Sequence, residues 1–170
     1  MKSTKVLPTI IEFVTDPQLL GLEISPAQET LLRGVYGLPL SPEQFAIWGA
    51  CTGRLEYRAR PFSEVTVVAG ARSGKDSRIA APILLYEALF GGHEGHLAKG
   101  ERGILPLVAQ DAKATRIAFG YVKDYLTRSP ILASQIDEER PQRPGPPDSA
   151  EAGGRAPGLH APGGGRPRLL

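Results

Sequence analysis

The chain has 170 residues, enough for one domain with a hydrophobic core, and its 20 Lys and Arg against 18 Asp and Glu leave a net charge of +2. So small an excess gives no strong global field toward nucleic acid or membrane. One cysteine, Cys51, excludes an internal disulfide and fits a reducing cytosol, no apolar run nears the roughly 18–20 residues of a membrane span, and the opening MKSTKVLPTIIEFV lacks the pattern of a secretory leader.

The first third reads as helical. Asp16-Pro17 has the form of an N-cap followed by proline at the first helical position. Ser25-Pro26-Ala27-Gln28 is a capping box with the same proline, opening a helix expected to end near Tyr36-Gly37. Ser41-Pro42-Glu43-Gln44 repeats the device and starts a helix through Phe45, Ile47, Trp48 and Cys51 that Gly53 stops. Phe45 and Trp48 are expected in the core rather than stacked on a ligand, and Cys51 reads as a small apolar helix residue.

An alternating α/β pattern follows. Residues 65–69 form a β-branched apolar strand, and 77–90 a helix with apolar periodicity from Ile79 to Leu89. After Gly91-Gly92, His93, Glu94 and His96 sit in a Gly-rich turn. Without a cysteine partner they read as a solvated loop rather than a metal site. Lys99, Arg102 and Lys113 are candidates for phosphate contact, though scattered surface charge is their default explanation. Residues 103–109 form a second short strand, which Pro106 assigns to an edge or a bulge. Asp111 caps a helix with Ala114, Ile117, Ala118, Tyr121, Val122 and Tyr125 on one face, and Ser129-Pro130 caps a last short helix. Strand–helix–strand–helix at these lengths predicts a parallel sheet with flanking helices.

Composition changes after Ile136. In residues 137–170, 14 of 34 are Pro or Gly and none is Ile, Val, Phe, Tyr or Trp, so the segment is expected to be disordered. Five arginines balanced by five acidic residues make it no basic nucleic-acid tail. It is either a natural flexible tail or, the preferred reading, translation past a frameshift in GC-rich coding sequence. The expected organisation is a helical N-terminal segment (1–60), a partial core (61–136) and the tail (137–170).

The chemistry concentrates between the first strand and its helix, in Gly70-Ala71-Arg72-Ser73-Gly74-Lys75-Asp76-Ser77. Glycines let backbone N–H groups face an anion, the helix N-terminus adds positive potential, and a lysine reaches the outer phosphates. That is the layout of a phosphate-binding loop for a nucleoside triphosphate. The match to G-x-x-x-x-G-K-[ST] is imperfect. Ala69 stands where the first glycine is expected, with Gly70 one place late. Asp76 replaces the hydroxyl residue that ligates Mg²⁺, and Ser77 follows about 100° further round the helix. Asp76 is itself a competent Mg²⁺ ligand, at the cost of a negative charge beside the phosphates.

Leu38-Pro39-Leu40, Cys51-Thr52-Gly53-Arg54, Pro61-Phe62-Ser63-Glu64-Val65 and Ala69-Gly70-Ala71-Arg72-Ser73-Gly74-Lys75, in this order, resemble the N-terminal ATPase region of tailed-phage large terminase subunits. The stretch Leu107-Val108-Ala109-Gln110-Asp111-Ala112-Lys113-Ala114 resembles that family's next strand and helix, and Tyr125-Leu126 with Ser129-Pro130-Ile131-Leu132 the segment after it. The resemblance covers residues 12–136. It implies a P-loop fold that is incomplete here, ATP and Mg²⁺ as cofactors, and a parent activity of ATP-driven DNA translocation with DNA cleavage. It also implies viral double-stranded DNA, a portal protein and a small terminase subunit as partners, in the host bacterial cytoplasm.

By resemblance, Lys75 binds the β- and γ-phosphates, the backbone of 70–75 cradles them, and Arg72 is the nearest match to a catalytic γ-phosphate-sensing arginine. The adenine-reading glutamine is Gln28 or Gln44, with Gln28 preferred. Neither the family's acidic pair at the end of a later strand nor its carboxylate-rich nuclease is recognisable. The expectation is therefore the first third or less of a large terminase followed by a foreign tail, binding nucleotide weakly and hydrolysing it poorly or not at all. The rival readings are another P-loop protein, helicase-like or a small kinase, and a non-catalytic decoy.

Overall fold

A computed structural model describes residues 7–134. They form α1 (Ile10–Thr15), α2 (Pro26–Val35), α3 (Pro42–Thr52), a π-helical turn (Lys75–Ala80) continuing into α4 (Ala81–Phe90), a 3-10 turn (His93–His96), α5 (Ala112–Arg128) and α6 (Pro130–Ala133). The expectations for 137–170 lie outside the described residues.

The expected parallel sheet is not formed. Among the described residues there is no strand, and 65–69 and 103–109 carry no backbone ladder bonds. A strand exists through its neighbours, and a parallel one needs cover on both faces. Here Val68 is 98%, Ile104 86% and Val108 88% exposed. Their β-branched composition fits a pleated surface, but nothing supplies that surface. The architecture of the described residues is instead helix on helix.

Local chemistry sets most helix starts. Ser25 and Ser41 each accept the N–H of the glutamine three residues on, whose side chain accepts the serine N–H in return. Asp111 accepts the Ala114 N–H at 2.7 Å and opens α5, Ser129 opens α6, and Gly53 ends α3 in the left-handed conformation. The expectation of a helix opening at Asp16-Pro17 is corrected. Asp16 closes α1, giving its N–H to the Glu12 carbonyl, and its carboxylate holds the Gln18 N–H in the turn that follows. The helix lies upstream, opened by Thr9 and Glu12 in a third capping box.

Pro82 explains the π-helical turn. It has no N–H to give the Arg78 carbonyl, and its ring crowds that group. The chain widens one step earlier, so that Ala81 N–H reaches back to the Asp76 carbonyl.

The core joins α1, α2, the helix of 75–90, α5 and α6 through Ile10, Phe13, Val14, Leu32, Ile79, Leu85, Val122, Tyr125 and Leu132. Phe13 meets Tyr86 and Phe90 with ring centroids 5.7 and 5.5 Å apart. Buried hydroxyls find carbonyls: Tyr86 donates to Pro8 at 2.8 Å and Ser129 to Gln18 at 2.9 Å. Helix α3 packs on α2 through Trp48, which is buried as expected. Phe45, expected in the core beside it, is instead 40% exposed, although it lies one turn away on the same side of α3. On α5 only Val122 and Tyr125 are buried, whereas Ile117 and Tyr121 remain exposed. No helix among the described residues is long and apolar enough to cross a membrane.

Candidate phosphate-binding turn

The chain enters the turn from the extended segment 65–69 and bends at Gly70, whose carbonyl accepts the Ser73 N–H at 3.4 Å. Two residues reverse the backbone. Gly74 has φ +76°, and Arg72, at φ +59°, is the one non-glycine residue of positive φ among the described residues. A side chain held in that region costs on the order of 1 kcal/mol or more and commonly marks a functional turn. At Gly74 a Cβ would also lie 2.9 Å from Gln28 Nε2. Gly70 differs: a Cβ there would meet nothing within 4 Å, so the fold itself makes no steric demand for glycine.

Lys75 is the first residue of the continuous helix that runs to Phe90. The Lys75, Asp76 and Ser77 N–H groups have no backbone acceptor among the described residues, whereas the Arg78 N–H closes onto the Gly74 carbonyl at 2.6 Å. First-turn donors under an aligned helix dipole attract an anion. Lys75 Nζ lies 3.5 Å from Asp76 Oδ2, with both side chains about half exposed. An exposed pair of that length contributes little, so the ammonium can exchange its carboxylate for a phosphate. Asp76 opposes an anion by its charge and offers an oxygen to a cation. One carboxylate with phosphate and water oxygens is a usual Mg²⁺ set, so the residue fits that role as a single protein ligand. The Ser77 carbonyl accepts the Tyr125 hydroxyl at 2.7 Å, which anchors the first turn to α5. Burial raises the Tyr125 pKa, so the phenol remains a donor at neutral pH.

Of the two candidate glutamines, Gln28 is bonded to the turn. Its Nε2 donates to the Ser73 carbonyl at 2.8 Å, across 45 residues, while its Oε1 accepts the Ser25 N–H at 2.9 Å. Gln44 closes the cap of α3, accepting the Ser41 N–H at 3.0 Å. Ala71, Arg72 and Ser73 are exposed.

Other sequence candidates lie apart from this constellation. His93 Nε2 sits 2.7 Å from Glu87 Oε2, and Glu87 Oε1 accepts the Tyr36 hydroxyl at 2.7 Å. No group of three metal-ligating side chains occurs among the described residues. Lys99, Arg102 and Lys113 are exposed. The left-handed Arg72 and the anchor from Gln28 have no local sequence signal. Tyr125 alone gave a hint, because a phenol on a buried helix face needs a partner.

No family model matches the chain, and it has no match among curated proteins or solved structures.

Proposed function

We propose that this chain binds the triphosphate of ATP, with Mg²⁺, at the 70–77 turn, and that it derives from the ATPase region of a phage DNA-packaging motor. The observation that carries the binding reading is the run of free first-turn N–H groups behind the left-handed Gly74, with Lys75 at the helix start. The Lys75 ammonium pairs with the outer phosphates, the 74–77 amides hold the inner ones, and Asp76 shares the cation with phosphate oxygens. Arg72, exposed in the turn, is the group that would meet the γ-phosphate. The motor assignment rests on the ordered resemblance of segments from Leu38 to Leu132. With it come double-stranded DNA, portal and small-subunit partners and a place of action in the bacterial cytoplasm.

Titration calorimetry with Mg-ATP on the full chain and on Lys75→Ala tests the binding reading. The wild type gives a saturable isotherm, and the variant loses at least tenfold in affinity, because a point charge on the phosphates has been removed. Equal affinities would exclude the turn as the phosphate site.

A further inference from the structure

We infer that Gln28 is a positioning residue that sets the Gly74 N–H toward the bound anion. This rests on the phosphate-binding reading of the turn. The argument is one of peptide geometry. In a trans peptide the C=O and the following N–H point in opposite directions from one plane. Gln28 Nε2 holds the Ser73 carbonyl at 2.8 Å, so the Gly74 N–H of the same peptide is turned away from Gln28. That N–H has no backbone acceptor among the described residues and stands immediately before the free N–H groups of Lys75, Asp76 and Ser77.

Two bonds fix the orientation of the Gln28 amide. Oε1 accepts the Ser25 N–H at 2.9 Å, and Nε2 donates to Ser73. The second N–H and the second lone pair of the amide lie in the plane that these two bonds fix, so the group cannot turn toward a base without breaking one of them. Gly74 matches the clasp, because a Cβ at that position would press on Gln28 Nε2 at 2.9 Å. The α2 cap and the anion turn thus share one side chain, and the orientation of the strained 72–74 backbone depends on it.

Three variants of the full chain separate the possibilities. Gln28→Glu keeps an acceptor for the Ser25 N–H and loses the donor to Ser73. Gln28→Met loses the donor without adding charge. Ser25→Ala weakens the cap and leaves the donor. Two measurements are made on each: amide exchange of the 70–80 segment without ligand, and affinity for ATP, GTP and tripolyphosphate, which has no base. Both Gln28 variants are expected to speed exchange in 70–80, and Ser25→Ala is not. Both are expected to lose about five- to tenfold in affinity, equally for all three ligands. Loss confined to ATP, with tripolyphosphate unchanged, would overturn the inference in favour of a base contact. Unchanged exchange in Gln28→Met would overturn the clasp itself. If exchange rises as expected but the wild type binds none of the three ligands, the clasp stands and the nucleotide reading fails.

Discussion

At Gly34 of α2 the space of the missing side chain is filled by Trp48 of α3. A Cβ built there would lie 2.4 Å from Cζ3 and 3.0 Å from Cε3 of the indole. A retreat of the ring would disturb its contacts with Tyr57, which meets it edge-on at 5.3 Å, and Phe62, which stacks on it at 6.1 Å. Alanine at position 34 should therefore cost more in overlap than the roughly 1 kcal/mol it gains in helix propensity. The net expectation for Gly34→Ala is a loss of about 1–3 kcal/mol in urea unfolding, and a neutral result would mean that α3 is not held by Trp48. The same packing leaves Trp48 Nε1 buried without a partner among the described residues.

Among the elements, what the sequence revealed depended on how far each signal had to reach. The Ser25, Ser41, Asp111 and Ser129 caps were legible because donor and acceptor lie three residues apart. Thr9-Ile10-Ile11-Glu12 carries the same signature in plain view, and Asp16-Pro17 drew the reading away from it. Pro82 likewise stands within the apolar run of 77–90 and marks where the helix must widen. The two strands were read from composition, yet strand formation is decided by distant partners that composition does not encode. The Gln28 clasp was hidden for the same reason: the residue types were visible, their juxtaposition was not.

The α1 cap also carries a pH dependence. The Thr9 N–H and hydroxyl both donate to the Glu12 carboxylate and hold its pKa below the ordinary 4.5. A depressed carboxylate pKa gives stability that is present above the ordinary value and lost as pH falls through the lower, folded value. Glu12→Gln retains a side-chain acceptor for the Thr9 N–H but does not titrate. Its thermal midpoint should fall slightly below wild type at pH 7 and match it at strongly acid pH. A constant difference between the two across that range would remove Glu12 from the acid limb.

At the scale of the whole molecule, the helical core leaves much apolar surface uncovered. Val68, Ile104 and Val108 are almost fully exposed, and a cavity of about 340 Å³ opens between Phe62, Val65, Val67, Ile79 and Ile83. Surface of this kind binds anilinonaphthalene dyes. The native full chain at neutral pH should enhance the dye's fluorescence several-fold over a closed globular protein of similar size, and Val68→Lys with Val108→Lys should reduce that enhancement. Fluorescence unaffected by both changes would show that these segments are covered in solution.

The long reach of the core contacts bears also on the order in which the chain is assembled. The bond from Tyr86 to Pro8 spans 78 positions and that from Ser129 to Gln18 spans 111. Helix α1 is far too short to persist alone, since isolated helices below roughly 12–15 residues are marginal. At about 5–20 residues per second of synthesis, roughly 4–16 s pass between the emergence of Pro8 and that of Tyr86. Through that interval Ile10, Phe13 and Val14 have α2 but not α4 to pack on, so a nascent chain stalled before α4 should be a substrate for a holdase chaperone, and one stalled after α6 should not.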